Sequence, residues 1–293
     1  MAVALSTAVP EIAPKDALLT ADQMARFVMD GFLEVEGLVP DDLNQAVYED
    51  QLRSVDANGL KPQFGWHITD RPSAFYQSSE ACRRVHELPA VRAILQSLLG
   101  PHWVMNHSAL HATPPHTQTA QAWHVDAGGR RQVRLVDDPP YQFDVLTAYF
   151  THDVPYEMGP TLVQPGSHLR TVAGQDLARY KNIVGQRRLS GKGGRIVFFH
   201  DALWHCAQQN STNQWRFMFK IRCNPKVPQR GQFNTDGWDS PEMRRLFLKG
   251  KGLHALNGDA AIMTMQRADW WRYLCSADAL PDPSGTGAHG DYA

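Results

Sequence analysis

The sequence has no long apolar run and little cysteine, and each absence excludes a class of protein. No stretch of about 18 apolar residues occurs, so no membrane-spanning helix is predicted. The opening segment lacks the basic start and apolar core of a secretory signal. The four cysteines are scattered without metal-ligand spacing, which is typical of a reduced intracellular protein.

The chain also lacks an excess of charge of either sign. Its 29 basic residues are balanced by 30 acidic ones, so no overall field would attract nucleic acid or an anionic membrane surface. We therefore expect a soluble, cytoplasmic, globular protein that acts on a small molecule. A length of 293 residues suits one large domain with a substantial interior.

The changing character of the sequence divides the chain into parts. We expect a flexible N-terminal arm over 1–19, one domain over 20–280 and a flexible tail over 281–293. Within the domain we expect a helical part at about 20–100, a β core at about 103–223 and a C-terminal helical extension at about 224–280.

Several local signals predict where helices begin and end. Thr20 and Gln23 have the spacing of a capping box, and Gly31 ends the helix that follows. Pro40 opens a second helix, and Pro89 opens a third that stops at Gly100.

Short apolar or alternating segments dominate from about residue 103. Turns rich in glycine and proline separate them, which favours a β-sandwich or barrel. The predicted strands are Trp103–Ala112, Ala120–Val125, Phe143–Phe150, Thr161–Gln164, Gly194–Phe199 and Trp215–Cys223, with Phe32–Glu36 a further short strand near the start.

The most informative motif is His124-Val125-Asp126. Residues i and i+2 of a strand point to the same side, so His124 and Asp126 can share one metal ion. Two imidazoles and one carboxylate hold divalent iron on one face and leave the other open. The same pattern also arises from a salt-bridged histidine on a surface strand, so the motif needs a third ligand to become specific. His200 and His205 both follow the apolar strand Gly194–Phe199, and that position does not choose between them.

The segment Trp215–Cys223 alternates between apolar and polar residues. We interpret its polar side as an outer face, and we apply that reading to Lys220 and Arg222 in particular. Arg216, at the start of the strand, has a second interpretation, because an arginine that faces a cavity can grip a carboxylate with two nitrogens.

Other residues are candidates for a substrate pocket. His111, in a predicted strand near the cavity, either lines the pocket or is a structural histidine, and we favour the structural role. Tyr149 and Trp204 are either pocket walls or core. Arg130 belongs to a loop with three arginines that either grips an anion or is simply solvated, and we favour the solvated loop. His168, after a Pro-Gly turn, we interpret as a turn-stabilising residue.

Four separated segments together resemble the phytanoyl-CoA dioxygenase family of iron(II)- and 2-oxoglutarate-dependent oxygenases. They extend over roughly residues 19–222, about two-thirds of the chain. The segments are the N-terminal Leu19–Gln23 with Asp30–Leu33 and Gly37-Leu38, the motif His124-Val125-Asp126, the turn Gly159–His168, and His205 with Asn210, Ser211 and Arg216.

The resemblance implies a fold, a ligand set and a cosubstrate. The fold is mainly β with flanking helices, a double-stranded β-helix or cupin-like jelly-roll barrel. The family's distal histidine precedes its cosubstrate arginine by eleven residues, which fits His205 and Arg216 and excludes His200. The implied metal ligands are His124, Asp126 and His205. Arg216 and Thr161 would bind 2-oxoglutarate, and Fe(II) and O2 would complete the cofactors.

The implied activity is oxidation, above all hydroxylation, of an unactivated C–H bond of a small molecule such as a secondary metabolite, with release of succinate and CO2. Related halogenases lack the carboxylate ligand, so Asp126 favours oxygenation over halogenation. Met158 and Ala122 depart from the family, since relatives often have asparagine before the glycine and some have an amide two residues before the first histidine. The alternatives are a non-catalytic metal- or ligand-binding jelly roll, a non-oxidative cupin-like enzyme, an acyl-CoA hydroxylase, and a desaturase or cyclase.

Overall fold

A computed structural model describes residues 12–58, 68–70, 74–126, 142–170, 182–248 and 258–277. The helices are α1 (Ala21–Asp30), α2 (Asp41–Asn58), α3 (Ala74–Ser78), α4 (Glu80–Glu87), α5 (Pro89–Leu99), α6 (Pro241–Leu248) and α7 (Gly258–Leu274). The strands are β1 (Phe32–Val35), β2 (Ile68–Asp70), β3 (Val104–Thr113), β4 (Val145–Phe150), β5 (Leu162–Val163), β6 (Arg187–Arg188), β7 (Arg195–His200), β8 (His205–Cys206) and β9 (Arg216–Asn224).

The strands form two antiparallel sheets. The main sheet has the order β1-β7-β4-β9-β3-β2, and the small sheet has the order β6-β5-β8. Neighbours in the main sheet are far apart in the chain, as in a jelly roll, where successive strands alternate between the sheets. The prediction of a mainly β jelly roll with flanking helices is confirmed.

The two faces of the main sheet have different partners. The outer face carries aromatic residues such as Phe198 and Phe219, and it packs against the helices in one large apolar cluster. The inner face contributes Leu146 and Phe199 to a second cluster, which also holds Val163 from the small sheet. The inner faces of the two sheets therefore meet, and the space between them contains the site.

The predicted start of α1 is confirmed in detail. The Thr20 side chain accepts a hydrogen bond from the backbone N–H of Gln23, whose side chain accepts one from the Thr20 N–H. Gly31 ends the helix in the left-handed conformation. Residues 12–19, which we assigned to a flexible arm, contact the domain, since the Leu19 N–H donates to Ser97 Oγ over 2.9 Å. Residues 1–11 and the predicted tail lie outside the described residues.

Some elements differ from the sequence-based prediction. The predicted strand Ala120–Val125 is an extended segment that contributes only an isolated bridge at His124. The elements α3, α4, β2, β6 and β8 were not predicted. The three strands have only two or three residues each, too few to show a periodicity. Among the described residues, no helix combines the length and apolar character that crossing a membrane requires.

Candidate metal centre and cosubstrate site

The segment that carries the HxD motif is tied to β8. The backbone N–H of His124 donates to the His205 carbonyl over 3.1 Å, and the N–H of His205 returns the bond over 3.0 Å. This isolated antiparallel bridge places the two imidazoles side by side, with ring centroids 4.2 Å apart. Ligand atoms of His124, Asp126 and His205 all lie within 4.8 Å of one another. The structure therefore brings together the three residues that the resemblance implied.

Both histidine rings turn the same nitrogen towards the centre of this triad. Nδ1 of His124 lies 3.0 Å from the Ala122 carbonyl oxygen, and Nδ1 of His205 lies 2.9 Å from that of Leu203. A carbonyl oxygen only accepts, so Nδ1 carries the proton and Nε2 keeps its lone pair. His205 Nε2 lies 3.7 Å from Asp126 Oδ2. Orienting hydrogen bonds of this kind are usual for histidines that bind metal.

The protonation states also suit a cation. Burial and the neighbouring His205 lower the pKa of His124 to about 3, and burial lowers that of His205. Burial alone would raise the pKa of Asp126, but the imidazoles and the Lys220 ammonium reverse this and hold it well below its usual range. Neutral imidazoles beside an ionised carboxylate are the forms that a divalent metal requires.

His200, the competing histidine, lies elsewhere. Its ring stacks on Phe143 with centroids 4.9 Å apart and contacts Trp270 edge-on. Its Nδ1 accepts the backbone N–H of Ala202 over 3.1 Å. The ring is thus part of the packing between the main sheet and the helices. His168 is also buried, with Nε2 3.2 Å from the Val28 carbonyl, in keeping with a structural role.

Arg216 is a buried cation at the start of β9. Its Nη2 donates to Thr113 Oγ1 over 2.8 Å, whereas Nη1 has no hydrogen-bond partner among the described residues. Burial lowers the pKa of Arg216 to about 10. A buried guanidinium is costly unless an anion compensates its charge. The unsatisfied Nη1 therefore fits a residue that awaits the distal carboxylate of 2-oxoglutarate.

Thr161, which the resemblance implies as a second contact to 2-oxoglutarate, lies beside the small sheet. It is buried and directly precedes β5, whose Val163 pairs with His205. The described contacts do not join Thr161 to Arg216. The hydroxyl that does contact Arg216 belongs to Thr113, which the sequence did not single out. Thr113 and Arg216 are paired across β3 and β9, and no local signal reveals such a pairing.

An amide side chain also borders the triad. Nε2 of Gln121 lies 3.3 Å from Nε2 of His124, the nitrogen that faces the centre. Gln121 is held in place by its backbone N–H and its Oε1, both of which bond to Ala207. Ala122 lacks the amide that some relatives have, and its neighbour Gln121 supplies one.

The polar side of β9 is not an outer face, and our interpretation of Lys220 and Arg222 was wrong. Lys220 Nζ donates to Asp126 Oδ2 over 2.7 Å, and Arg222 Nη1 donates to the Asp126 carbonyl over 2.9 Å. Arg222 also pairs with Asp144 at 2.6 Å. The apolar side of β9 is taken up by the helices, so the polar side faces the interior between the sheets.

The candidate pocket residues separate into two groups. His111 lies opposite Met218 on the inner face of the main sheet. Tyr149 lies on the outer face, where its hydroxyl donates to Asn44 Oδ1 over 2.7 Å. Trp204 packs with Trp123 on the side of the small sheet that faces away from His205. The structure thus places His111 on the cavity side and leaves Tyr149 and Trp204 outside it. Arg130 and its loop lie outside the described residues.

Comparison with known proteins agrees with this site. The family described as phytanoyl-CoA dioxygenase (PhyH) matches residues 27–218. An L-proline trans-4-hydroxylase from Streptomyces griseoviridis is 27% identical, over 53% of this chain and 68% of that enzyme.

Solved structures share the fold at low identity. HygX from Streptomyces hygroscopicus, crystallised with nickel and 2-oxoglutarate, superimposes with a TM-score of 0.56 at 16% identity, over 72% of this chain and 88% of HygX. SnoK, an α-ketoglutarate-dependent carbocyclase from nogalamycin biosynthesis, gives a TM-score of 0.55 at 15% identity, over 73% of this chain and 87% of SnoK.

The chain belongs to the phytanoyl-CoA dioxygenase family, because the match covers about two-thirds of its length. It is a 2-oxoglutarate-dependent non-haem iron dioxygenase, with Fe(II) as cofactor and with 2-oxoglutarate and O2 as cosubstrates.

Proposed function

We propose that the protein hydroxylates an unactivated C–H bond of a small molecule, with release of succinate and CO2. The observation that carries this proposal is the convergence of one ligand atom each from His124, Asp126 and His205, which all lie within 4.8 Å of one another. Three protein ligands leave positions open for cosubstrate and oxygen. Bound iron would supply the activation of oxygen, while the protein positions the reactants and excludes water.

Arg216 would hold the distal carboxylate of 2-oxoglutarate, with Thr113 fixing the guanidinium. Support comes from the burial of Arg216 and from its Nη1, which is unsatisfied among the described residues. Thr161 remains a proposed second contact to the cosubstrate. His111, on the inner face beside Met218, is the proposed pocket residue that the geometry favours.

The substrate we propose first is a free amino acid. The support is the L-proline trans-4-hydroxylase of Streptomyces griseoviridis, which is similar in sequence over just more than half of this chain. A secondary metabolite is the broader class that we predicted. Two proteins of similar fold, SnoK and SnoN, come from nogalamycin biosynthesis, so secondary metabolites are the second group of compounds to test.

Succinate formation tests the function directly. The iron-loaded protein is given 2-oxoglutarate and oxygen with L-proline, with other free amino acids, or with a panel of secondary metabolites, and the products are identified by mass spectrometry. For at least one compound, we expect one succinate for each molecule of a product that is heavier by one oxygen atom. Succinate that never exceeds the level of an Asp126→Ala control, with every compound, would contradict the proposal.

A further inference from the structure

Lys220 is an unusual neighbour for a metal site. It is buried on the inner face of the main sheet, and its Nζ lies 2.7 Å from Asp126 Oδ2. The same oxygen lies 3.7 Å from His205 Nε2, so Lys220 contacts the carboxylate oxygen that faces the imidazoles. The ammonium group of Lys220 thus lies against the atom that would ligate the metal.

The charge of Lys220 reaches the whole triad. It contributes to the lowered pKa of His124 and of His205 as well as to that of Asp126. By contrast, the next cation on the strand, Arg222, already has two carboxylate partners, Asp144 at 2.6 Å and Asp201 at 3.6 Å. Lys220 would share the Asp126 carboxylate with the metal. Metal binding would therefore leave the charge of Lys220, and not that of Arg222, poorly compensated.

A divalent metal at the triad would therefore meet both an attractive carboxylate and a repulsive ammonium. Like charges this close in a buried site interact strongly. An anion that bound the metal on the side of Lys220 would relieve the repulsion, because it would pair with both cations. 2-Oxoglutarate carries two negative charges, one for the metal end and one for Arg216.

We propose that Lys220 is a second carboxylate-binding residue of the active site, which couples metal binding to 2-oxoglutarate binding. This inference rests on the proposed function, since it requires the cosubstrate to bind at the triad. Lys220 weakens the binding of metal alone and stabilises the metal when the carboxylate at the metal end of the cosubstrate is present. Because such coupling is reciprocal, Lys220 also makes the affinity for the cosubstrate depend more strongly on bound metal.

The test measures Mn(II) affinity by calorimetry, with and without 2-oxoglutarate and with no substrate present. Lys220→Gln keeps a hydrogen-bond donor for Asp126 and removes the charge. Lys192→Gln is the matched control, because Lys192 also pairs with an aspartate at 2.7 Å, but at the surface. We expect Lys220→Gln to bind Mn(II) alone about tenfold more tightly, and the tightening by 2-oxoglutarate to fall about tenfold. Lys192→Gln should match the wild type in both.

Three results would overturn the proposal in distinguishable ways. If 2-oxoglutarate tightens Mn(II) binding equally in the wild type and Lys220→Gln, only the role of Lys220 fails. If 2-oxoglutarate has no effect in the wild type, the proposed function fails with it. If Lys220→Gln does not fold, Lys220→Arg replaces it and should keep the coupling, and its loss in a folded Lys220→Arg protein would overturn the proposal. Because no substrate is present, only the cosubstrate can supply the carboxylate.

Discussion

A buried guanidinium with an unsatisfied nitrogen carries a free-energy cost, which an anion bound beside it would offset. Arg216 is such a group among the described residues, since Thr113 takes Nη2 and nothing takes Nη1. Measuring how tightly an Arg216 variant binds 2-oxoglutarate therefore tests the proposed cosubstrate site without a substrate.

Replacing Arg216 with methionine should lower the affinity for 2-oxoglutarate about 100-fold. The lost interaction is a charge-assisted pair in a buried site, where removal of one partner typically costs about 2–5 kcal/mol. The measurement is calorimetric titration of 2-oxoglutarate into the Mn(II)-loaded protein. Arg188→Met, at an exposed position on β6, serves as the control. Equal affinities of the Arg216 variant and wild type would remove Arg216 from the site.

Sequence patterns revealed the individual residues of the site unevenly. His124 and Asp126 are two residues apart, so strand geometry alone makes them candidates. His205 was chosen over His200 only through the family resemblance, which implies an interval of eleven residues to Arg216. Lys220 was misread, because alternation separates two faces of a strand without saying which one meets solvent. Thr113 could not be found at all, because 103 positions separate it from Arg216.

At the level of elements, a tight turn supports the site. Gly159 has a φ of +69°, and a Cβ at this position would overlap the carbonyl oxygen of Gln209. Gln209 follows β8 and precedes Asn210, whose side chain bonds to the Pro114 and Gln214 carbonyls. The close approach of these backbones therefore helps to fix the connection between β8 and β9.

Gly159→Ala should destabilise the protein more than Gly37→Ala. Gly37 has a φ of +71° but nothing within 4 Å of the added Cβ, so both variants share the cost of a left-handed alanine, about 1 kcal/mol. Only Gly159→Ala adds a backbone clash, which we expect to cost about 2 kcal/mol more. Urea unfolding of both variants gives the comparison. Equal free energies of unfolding would show that the turn yields without cost.

Elements with local signals were predictable, and those held by distant contacts were not. The capping box at Thr20 and the start of α5 at Pro89 each depend on a few neighbouring residues. By contrast, β8 has only two residues and exists because it pairs with β5. His124 lies in no regular strand, and its bridge to His205, a residue distant in the chain, helps to position it.

At the level of the whole molecule, a buried histidine links stability to pH. His86 packs against Phe219 in the core, with ring centroids 5.6 Å apart, and burial lowers its pKa from 6.5 to about 4. Above about pH 6.5 neither state is protonated, so the contribution to stability is complete. Below it the unfolded chain binds a proton that the folded protein does not, and stability falls until about pH 4.

His86→Phe should therefore make the metal-free protein less sensitive to acid. The free energy of unfolding of the wild type should fall more steeply between about pH 6.5 and 4, by about 1.4 kcal/mol per pH unit for this one group. Urea unfolding at several pH values measures both slopes. If the free energies of unfolding of the two proteins fell in parallel with pH, His86 would have the same pKa in the folded and unfolded states, against this prediction.

Turns and apolar segments predicted a β-sandwich or barrel, and the family resemblance implied the jelly roll, but neither showed which face of each strand points inwards. Aromatic residues on β9 could have faced either the interior or a helical layer, and the helices settled this by covering one face. The polar interior that results is what the oxygenase chemistry uses.

The central claim is that His124, Asp126 and His205, with Arg216, form the iron and 2-oxoglutarate site. Anaerobic titration of the protein with Fe(II) and 2-oxoglutarate, followed by visible absorption, tests it most directly. We expect the weak metal-to-ligand charge-transfer band of a chelated cosubstrate in the wild type and in His200→Ala, and none in His205→Ala. A band that survives in His205→Ala but disappears in a folded His200→Ala protein would contradict the account.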